Sequence, residues 1–360
     1  MRLAMEGSPL GVGIVGTGTS ATQHLTALRD VPNGRAVAIA GSSQAKARAL
    51  ADQWGVPRAY GSYQELVADP AVEVVHTCTP PDLRLPIARA AAAAGRHVLV
   101  EKPIGRTIAE ADQIIAACER AGVRLAAMFQ NRFTPLARRL KEAVDEGRLG
   151  RLLLATLTSK WYRTTEYYQS TPWRATVGRD GGGALINQAI HGIDLLRWVC
   201  GPVAEVRGLT ERTLHPIETE DVGLALLRFE SGALGQIVGT TVAYPGYSEQ
   251  LELHGSEGSA VLAQGEGRLE WHLRGEEPRR EVAPEQVSAG GRDPRTISFY
   301  GHSAELADFY AAIRQGREPL IPGREGRHAL ELIEAIYRSS RDGRPVSLPL
   351  APSADDRLER

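Results

Sequence analysis

The sequence predicts two domains: a doubly wound α/β domain with a parallel sheet over residues 1–130, then an α+β domain with an open, mainly antiparallel sheet over 131–360. Three observations predict this. Short apolar runs take turns with helical patterns through the first 130 residues, the rhythm of parallel strands joined by right-handed crossovers. Beyond residue 150 the rhythm stops, and strand-like runs follow one another with turn pairs such as Ser231-Gly232 between them. A glycine-rich turn stands directly between the first strand and the first helix.

In order, LGVGIV (10–15), VAIA (37–40), VEVVHT (72–77), HVLV (97–100) and RLAAMF (124–129) read as the strands of the first domain. Two of the intervening helices open with capping boxes, Ser62 with Glu65 and Thr107 with Glu110, and the alanine-rich 82–94 is a helix throughout. In the second domain one helix is expected over 184–200. Five strand-like runs then start at Val203, Asp221, Leu234, Gln250 and Arg268. Helices over 303–314 and 326–340 close the chain and are free to pack back on the first domain. The stretch 274–296, rich in Glu, Gly, Pro and Arg, reads as a mobile loop.

Composition narrows the function. With 42 basic and 43 acidic residues and a net charge of −1, the chain offers no electrostatic attraction to nucleic acid or to an anionic membrane. No apolar run approaches the length of a membrane span. The N-terminus MRLAMEGSPL lacks an apolar signal core. Cys78, Cys118 and Cys200 are widely spaced and form neither a metal pattern nor a disulfide framework, so a cytoplasmic protein without a metal is expected.

The turn Gly16-Thr17-Gly18-Thr19-Ser20-Ala21 carries the GxGxxA spacing of a Rossmann dinucleotide site. Gly16 permits the tight turn, Gly18 lets the backbone approach a pyrophosphate, and Ala21 lets helix pack on strand while the helix N-terminus faces the anion. After the second strand, where an NAD site usually places a carboxylate for the ribose hydroxyls, the chain reads Ala40-Gly41-Ser42-Ser43 with Lys46 a turn later. Ser42, Ser43 and Lys46 favour NADP over NAD, with a solvated helix charge the alternative for Lys46.

Only Lys46, Lys102, Lys141 and Lys160 among the 42 basic residues are lysines. A lysine retained at the end of the apolar strand HVLV, followed at once by Pro103, points to a group that must exchange a proton, which arginine cannot do. In GGGALINQAIHGIDLLRW (181–198), His191 and Asp194 fall within about 40° of Asn187 at 100° per residue, a polar stripe on an otherwise apolar helix. Such a stripe faces a cleft, or else it satisfies a core histidine. The aromatic cluster KWYRTTEYYQSTPWR (160–174) supplies stacking faces for a sugar ring, with Arg163, Trp173 and Arg174 as candidate substrate contacts. The alternative there is a loop packed at the domain seam. His215, His254 and His302 have no local signal that recommends them.

The EKP at 101–103 and GGGALINQAIHGIDLL at 181–196, together with CTPPD (78–82), QNRF (130–133) and the closing segment from His302, resemble the glucose–fructose oxidoreductase / inositol dehydrogenase / MocA family. The resemblance implies an NAD(P)-dependent dehydrogenase of a carbohydrate-like substrate, forming dimers or tetramers through the C-terminal sheet. It implies that Lys102, ahead of a cis Lys–Pro bond, orients the reacting oxygen and that His191 is the general acid/base. It further implies that Thr79, Pro80, Glu101 and Gln130 contact the cofactor. Many relatives have Asp where this chain has Asn187, which can orient a hydroxyl but not take its proton. A non-catalytic cofactor sensor is the alternative; it would have no need of Lys102 or His191.

Overall fold

The computed structural model describes residues 8–283 and 300–350. The described residues form two compact units, one of residues 8–105, 109–130 and 300–327, the other of 106–108, 131–283 and 328–350.

The first unit is built from β1 (Leu10–Val15), α1 (Thr19–Leu28), β2 (Gly34–Ala40), α2 (Gln44–Trp54), β3 (Arg58–Tyr60), α3 (Tyr63–Ala68), β4 (Val74–Thr77), α4 (Arg84–Ala93), β5 (His97–Val100), α5 (Ile108–Ala121) and β6 (Leu125–Ala127). The six strands are all parallel, in the order β3-β2-β1-β4-β5-β6. Strand order reverses beside β1, which places ligand chemistry at the carboxyl ends of β1 and β4. Strands buried on both faces read as unbroken apolar runs, and LGVGIV is buried at every position. The short edge strand β3 escaped sequence patterning because three residues carry no period.

The helix Tyr300–Gln315, late in sequence, belongs to this unit: its Leu306, Phe309 and Tyr310 enter the core of Val12, Ile14, Leu25, Leu28 and Val74. The Ser62–Glu65 capping box forms as expected.

The second unit carries α6 (Pro135–Asp145), β7 (Leu152–Lys160), α7 (Thr165–Gln169), α8 (Val177–Asp180), a π-helical turn (Leu185–Ala189), α9 (Ile190–Cys200), β8 (Val203–Glu211), β9 (Val222–Phe229), β10 (Leu234–Thr240), β11 (Gln250–Gly255), β12 (Gly258–Ala263), β13 (Arg268–Leu273), β14 (Arg279–Val282) and β15 (Val346–Ser347). Its nine-stranded sheet runs β14-β13-β12-β11-β7-β10-β9-β8-β15. All neighbours are antiparallel except β7 and β10, which pair in parallel. Neither β7 nor its parallel pairing was expected: β7 inserts between two strands whose paired residues follow it by about 80 to 100 positions, a choice no local pattern encodes. Along β9 buried and open positions alternate, and Leu185, Ile186, Ala189, Ile190, Ile193 and Leu196 of the π turn and α9 are all buried. Part of the expected loop 274–296 is β14; residues 284–296 of it lie outside the described residues.

Candidate active site

In the first unit, the turn after β1 has the geometry its glycines foretold. Gly16 has φ +130°, and a Cβ there would stand 2.1 Å from the Cys78 carbonyl oxygen, so only glycine fits. Gly18 caps α1 in extended conformation, and a Cβ added to it meets nothing within 4 Å: the space before the helix N-terminus is open. No side chain caps this end and its first turn has no acidic residue, while Ala21 is fully buried against the sheet. Thr17, Thr19 and Ser20 complete the turn. First-turn N–H groups without a side-chain cap and the positive end of the helix dipole are features that suit an anion.

Around the carboxyl ends of β4 and β6, three side-chain oxygens are buried without a partner among the described residues: Thr77 Oγ1, Thr79 Oγ1 and Gln130 Oε1. Buried polar atoms are nearly always satisfied, so such a group of orphans marks where a polar ligand would enter. Pro80 follows Thr79 and opens the 3-10 turn Pro81–Leu83. Arg84 Nε and Nη2 donate to the Thr79 carbonyl at 3.3 and 3.1 Å. Ser42, Ser43 and Lys46 are exposed at the end of β2, and the Ser43 Oγ accepts the Lys46 N–H at 3.3 Å as the N-cap of α2. The hydroxyl proposed for a phosphate thus has a structural task as well.

Lys102 stands just past β5, half-buried, and its bond to Pro103 is cis. The neighbouring Glu101 is buried within the unit. One carboxylate oxygen accepts the Lys102 backbone N–H at 3.1 Å and the other pairs with His24 Nε2 on α1 at 3.0 Å. His24 Nδ1 lies 2.9 Å from His76 Nδ1, and His76 Nε2 lies 3.0 Å from the Tyr310 hydroxyl. Burial opposes charge on His24, but the Cys78 sulfur and the Glu101 carboxylate reverse this and carry its pKa up to about 10. Burial raises the Glu101 pKa, but the hydrogen bond and charge of His24 outweigh it and hold Glu101 far below the usual carboxylate range. Burial and the charge on His24 push His76 well down. The consistent proton arrangement is a charged His24 donating to Glu101 and to a neutral His76. Sequence reasoning missed His24, and expected of Glu101 a cofactor contact; here both its oxygens serve the fold.

In the second unit, the expected single helix over 184–200 is in fact a π turn followed by α9. The wider turn breaks the 100° spacing on which the stripe rested. Asp194 does not belong to it: its carboxylate is buried in a bidentate pair with Arg132, at 2.7 Å to Nε and 2.5 Å to Nη2. His191 opens α9 and is 9 % exposed. Asn187 lies in the π turn, and its Nδ2 donates to both oxygens of Asp180 at 3.0 and 2.8 Å. A carboxylate only accepts, so the amide orientation is fixed and its carbonyl oxygen faces away from Asp180. Asp180, which also accepts the Ala175 N–H at 2.8 Å, was not singled out from sequence; an acidic residue directly ahead of the GGG run was the available signal. The π turn is anchored by Glu220, which accepts the N–H groups of Gly183 and Leu185 and the Tyr337 hydroxyl. A Cβ on Gly183 would fall 1.8 Å from the Glu220 carbonyl oxygen.

The aromatic cluster is not a set of bare faces. Arg163 is 3 % exposed, lies over the Trp161 and Tyr167 rings, and its pKa is lowered by burial. Arg174 lies over Tyr167 and Trp173, 4.1 and 4.9 Å from the ring centroids, and donates to the Tyr167 hydroxyl at 2.6 Å. Gln188 Nε2 donates to the same hydroxyl at 3.1 Å, tying the loop to the π turn. Among the described residues no group of three or more His, Cys, Asp or Glu could hold a metal ion.

Comparison with known proteins agrees with this architecture. Residues 10–129 match the family model described as oxidoreductase family, NAD-binding Rossmann fold, and residues 137–261 match the GFO/IDH/MocA C-terminal domain. The chain is 28 % identical to the myo-inositol 2-dehydrogenase of Thermotoga maritima (94 % of this chain, 98 % of the relative). It is 31 % identical to an uncharacterized oxidoreductase of Synechocystis (96 % and 98 %). Among solved structures, the WlbA dehydrogenase from Bordetella pertussis, in complex with NADH and UDP-GlcNAcA, superposes with a TM-score of 0.83 at 32 % identity, covering 95 % of this chain and 100 % of that one.

Proposed function

Because the chain belongs to the GFO/IDH/MocA oxidoreductase family, we propose that it is an NAD(P)-dependent dehydrogenase acting on a secondary hydroxyl, or the corresponding ketone, of a sugar, cyclitol, sugar acid or nucleotide sugar. The observation that carries the proposal is the open, uncapped α1 N-terminus at Gly18, with the orphaned Thr79 and Gln130 oxygens of the same unit to meet the remainder of a dinucleotide. The bound dinucleotide supplies the hydride acceptor or donor at its nicotinamide.

Each side chain then has a task. Gly16 and Gly18 admit the pyrophosphate to the α1 N-terminus. Lys102 polarises and orients the reacting oxygen, held in place by the Glu101 carboxylate on its backbone N–H. His191 takes the hydroxyl proton or returns it, and Asn187, its amide pinned by Asp180, presents a carbonyl oxygen to a substrate hydroxyl. Ser42, Ser43 and Lys46 offer no carboxylate to a ribose and one positive charge to a 2′-phosphate, which supports NADP. The Bordetella relative holds NADH, so the test runs both.

The test is dinucleotide reduction over a panel of polyols, sugars, sugar acids and UDP-sugars by wild type and Lys102→Met, with cofactor binding followed in both. The expected result is turnover that falls at least about 100-fold in the variant while cofactor affinity is kept. Binding without turnover on any panel member would favour a sensor, and failure to bind either dinucleotide would overturn the proposal.

A further inference from the structure

Among the described residues, two groups of buried polar atoms without partners stand out. One is at the proposed dinucleotide seat of the first unit. The other, wholly within the second unit, is at a cleft of about 840 Å³ between the segment following α7 and the loop joining β8 to β9. Thr171 Oγ1, Arg174 Nε and both ring nitrogens of His215 are buried and unpartnered, and all three residues line this cleft. His215 is 4 % exposed, its ring 4.8 Å from that of Tyr168, so water does not satisfy it from bulk. Leaving several such atoms unsatisfied in one wall costs a fold stability for no structural return.

The wall has a definite chemistry. Arg174 and Arg212 bring two guanidinium groups, and Thr171 and His215 add a hydroxyl and an imidazole. The one carboxylate lining the cleft, Glu218, is engaged by the Val177 N–H at 2.9 Å. Arg212 is pinned toward the cleft loop by donating to the Ile217 carbonyl at 2.6 Å. The His215 loop is itself fixed from behind, as Asp221 accepts the backbone N–H groups of Thr213, Leu214 and His215 at 2.7 to 2.9 Å. Forked guanidinium donors with hydroxyl and imidazole support recognise carboxylate or phosphoryl oxygens.

We infer that this cleft binds an anionic oxygen group, carboxylate or phosphoryl, of the substrate. The inference rests on the proposed dehydrogenase function and narrows its substrate to an acidic or phosphorylated carbohydrate. The cleft is coupled to the π turn by two short routes: Arg174 through the Tyr167 hydroxyl to Gln188, and Ala175 through Asp180 to Asn187. An anionic arm seated on Arg174 is thereby registered against Asn187, the residue assigned to a substrate hydroxyl.

The test is calorimetric titration of the full chain with D-glucuronate, UDP and, as the neutral comparison, myo-inositol, in wild type, Arg212→Gln and Thr171→Val. Arg212 is exposed and Thr171→Val is nearly isosteric, so thermal melting serves to verify that both variants fold. The expected result is saturable binding of glucuronate or UDP, weakened about tenfold or more in each folded variant; the response to one probe or the other identifies carboxylate or phosphoryl as the group held. Binding of neither anion, or equal binding in wild type and both variants, overturns the inference. These titrations need neither dinucleotide nor turnover, so their failure is distinguishable from a failure of the dehydrogenase reading, which the Lys102→Met comparison decides.

Discussion

At the scale of the residue, the buried His24–Glu101 pair shows how a charge can be kept inside a core. Burial opposes charge on both; the Cys78 sulfur and Glu101 hold His24 protonated, and His24 holds Glu101 ionised. The pair ties α1, which starts at the proposed anion seat, to the backbone of Lys102. His24 contributes stability fully present below its ordinary pKa of 6.5 and lost as pH rises through about 10. Glu101, depressed, contributes stability present above the ordinary carboxylate pKa and lost as pH falls below it. His24→Leu leaves Glu101 buried without its counter-ion and is expected to cost about 3–5 kcal/mol near neutral pH. Urea unfolding measures this, and a loss under about 1 kcal/mol would show that the carboxylate has found another partner or a proton.

At the scale of the element, α9 and its π turn decide what the polar residues of the second unit do. The π turn moves Asp194 onto Arg132 and leaves Asn187 to Asp180. Below the helix lies Glu249, buried, which accepts a hydrogen bond from the Ser159 hydroxyl; a Cβ at Gly192 would come within 2.7 Å of its carboxyl oxygen. Burial pushes the Glu249 pKa up to about 7 from 4.5, with Ser159 acting against the shift. The folded state therefore binds the proton more tightly than the unfolded state. Its contribution is fully present below pH 4.5 and lost as pH rises through about 7. Glu249→Gln, which keeps an acceptor for Ser159, is expected to be close to neutral at pH 4.5 and stabilising by ~3 kcal/mol at pH 8. Thermal melts at the two pH values check this; an equal effect at both would remove titration as the cause.

At the scale of the whole molecule, one face of the nine-stranded sheet is exposed among the described residues. Leu226 is 62 % exposed and Leu209 54 %, and Leu209 and Leu224 are cross-strand neighbours, as are Leu154 and Leu234. These leucines share the face with Thr156, Thr158, Gln236, Arg207 and Arg228, so it is a mixed surface of exposed leucines and polar groups, open to a partner sheet. If the chain forms the dimer or tetramer that the family resemblance implies, this is the face expected to be buried. Leu226→Arg is expected to shift the species seen by light-scattering chromatography to monomer without lowering the melting temperature of the monomer unit; an unchanged mass would place the contact elsewhere. Among the described residues no helix is long and apolar enough to cross a membrane.

The sequence by itself determined what is written along one element. The β1 turn was legible because Gly16 and Gly18 act through their own φ angle and missing Cβ. The position of Lys102 after an apolar strand was legible because the strand pattern stops just before it, and the parallel sheet because its strands alternate with helices at short range. Tertiary structure alone decided what depends on a distant partner. His24 meets Glu101 across 77 residues and Arg132 meets Asp194 across 62, and in neither case does a local period report the other member. The same holds for β7, chosen as a neighbour by β10 and β11, and for the π turn, set by the grip of Glu220 on Gly183 and Leu185. Periodicity states which face of an element is buried; packing of one element on another decides which of its polar groups are free to do chemistry and which hold the fold together.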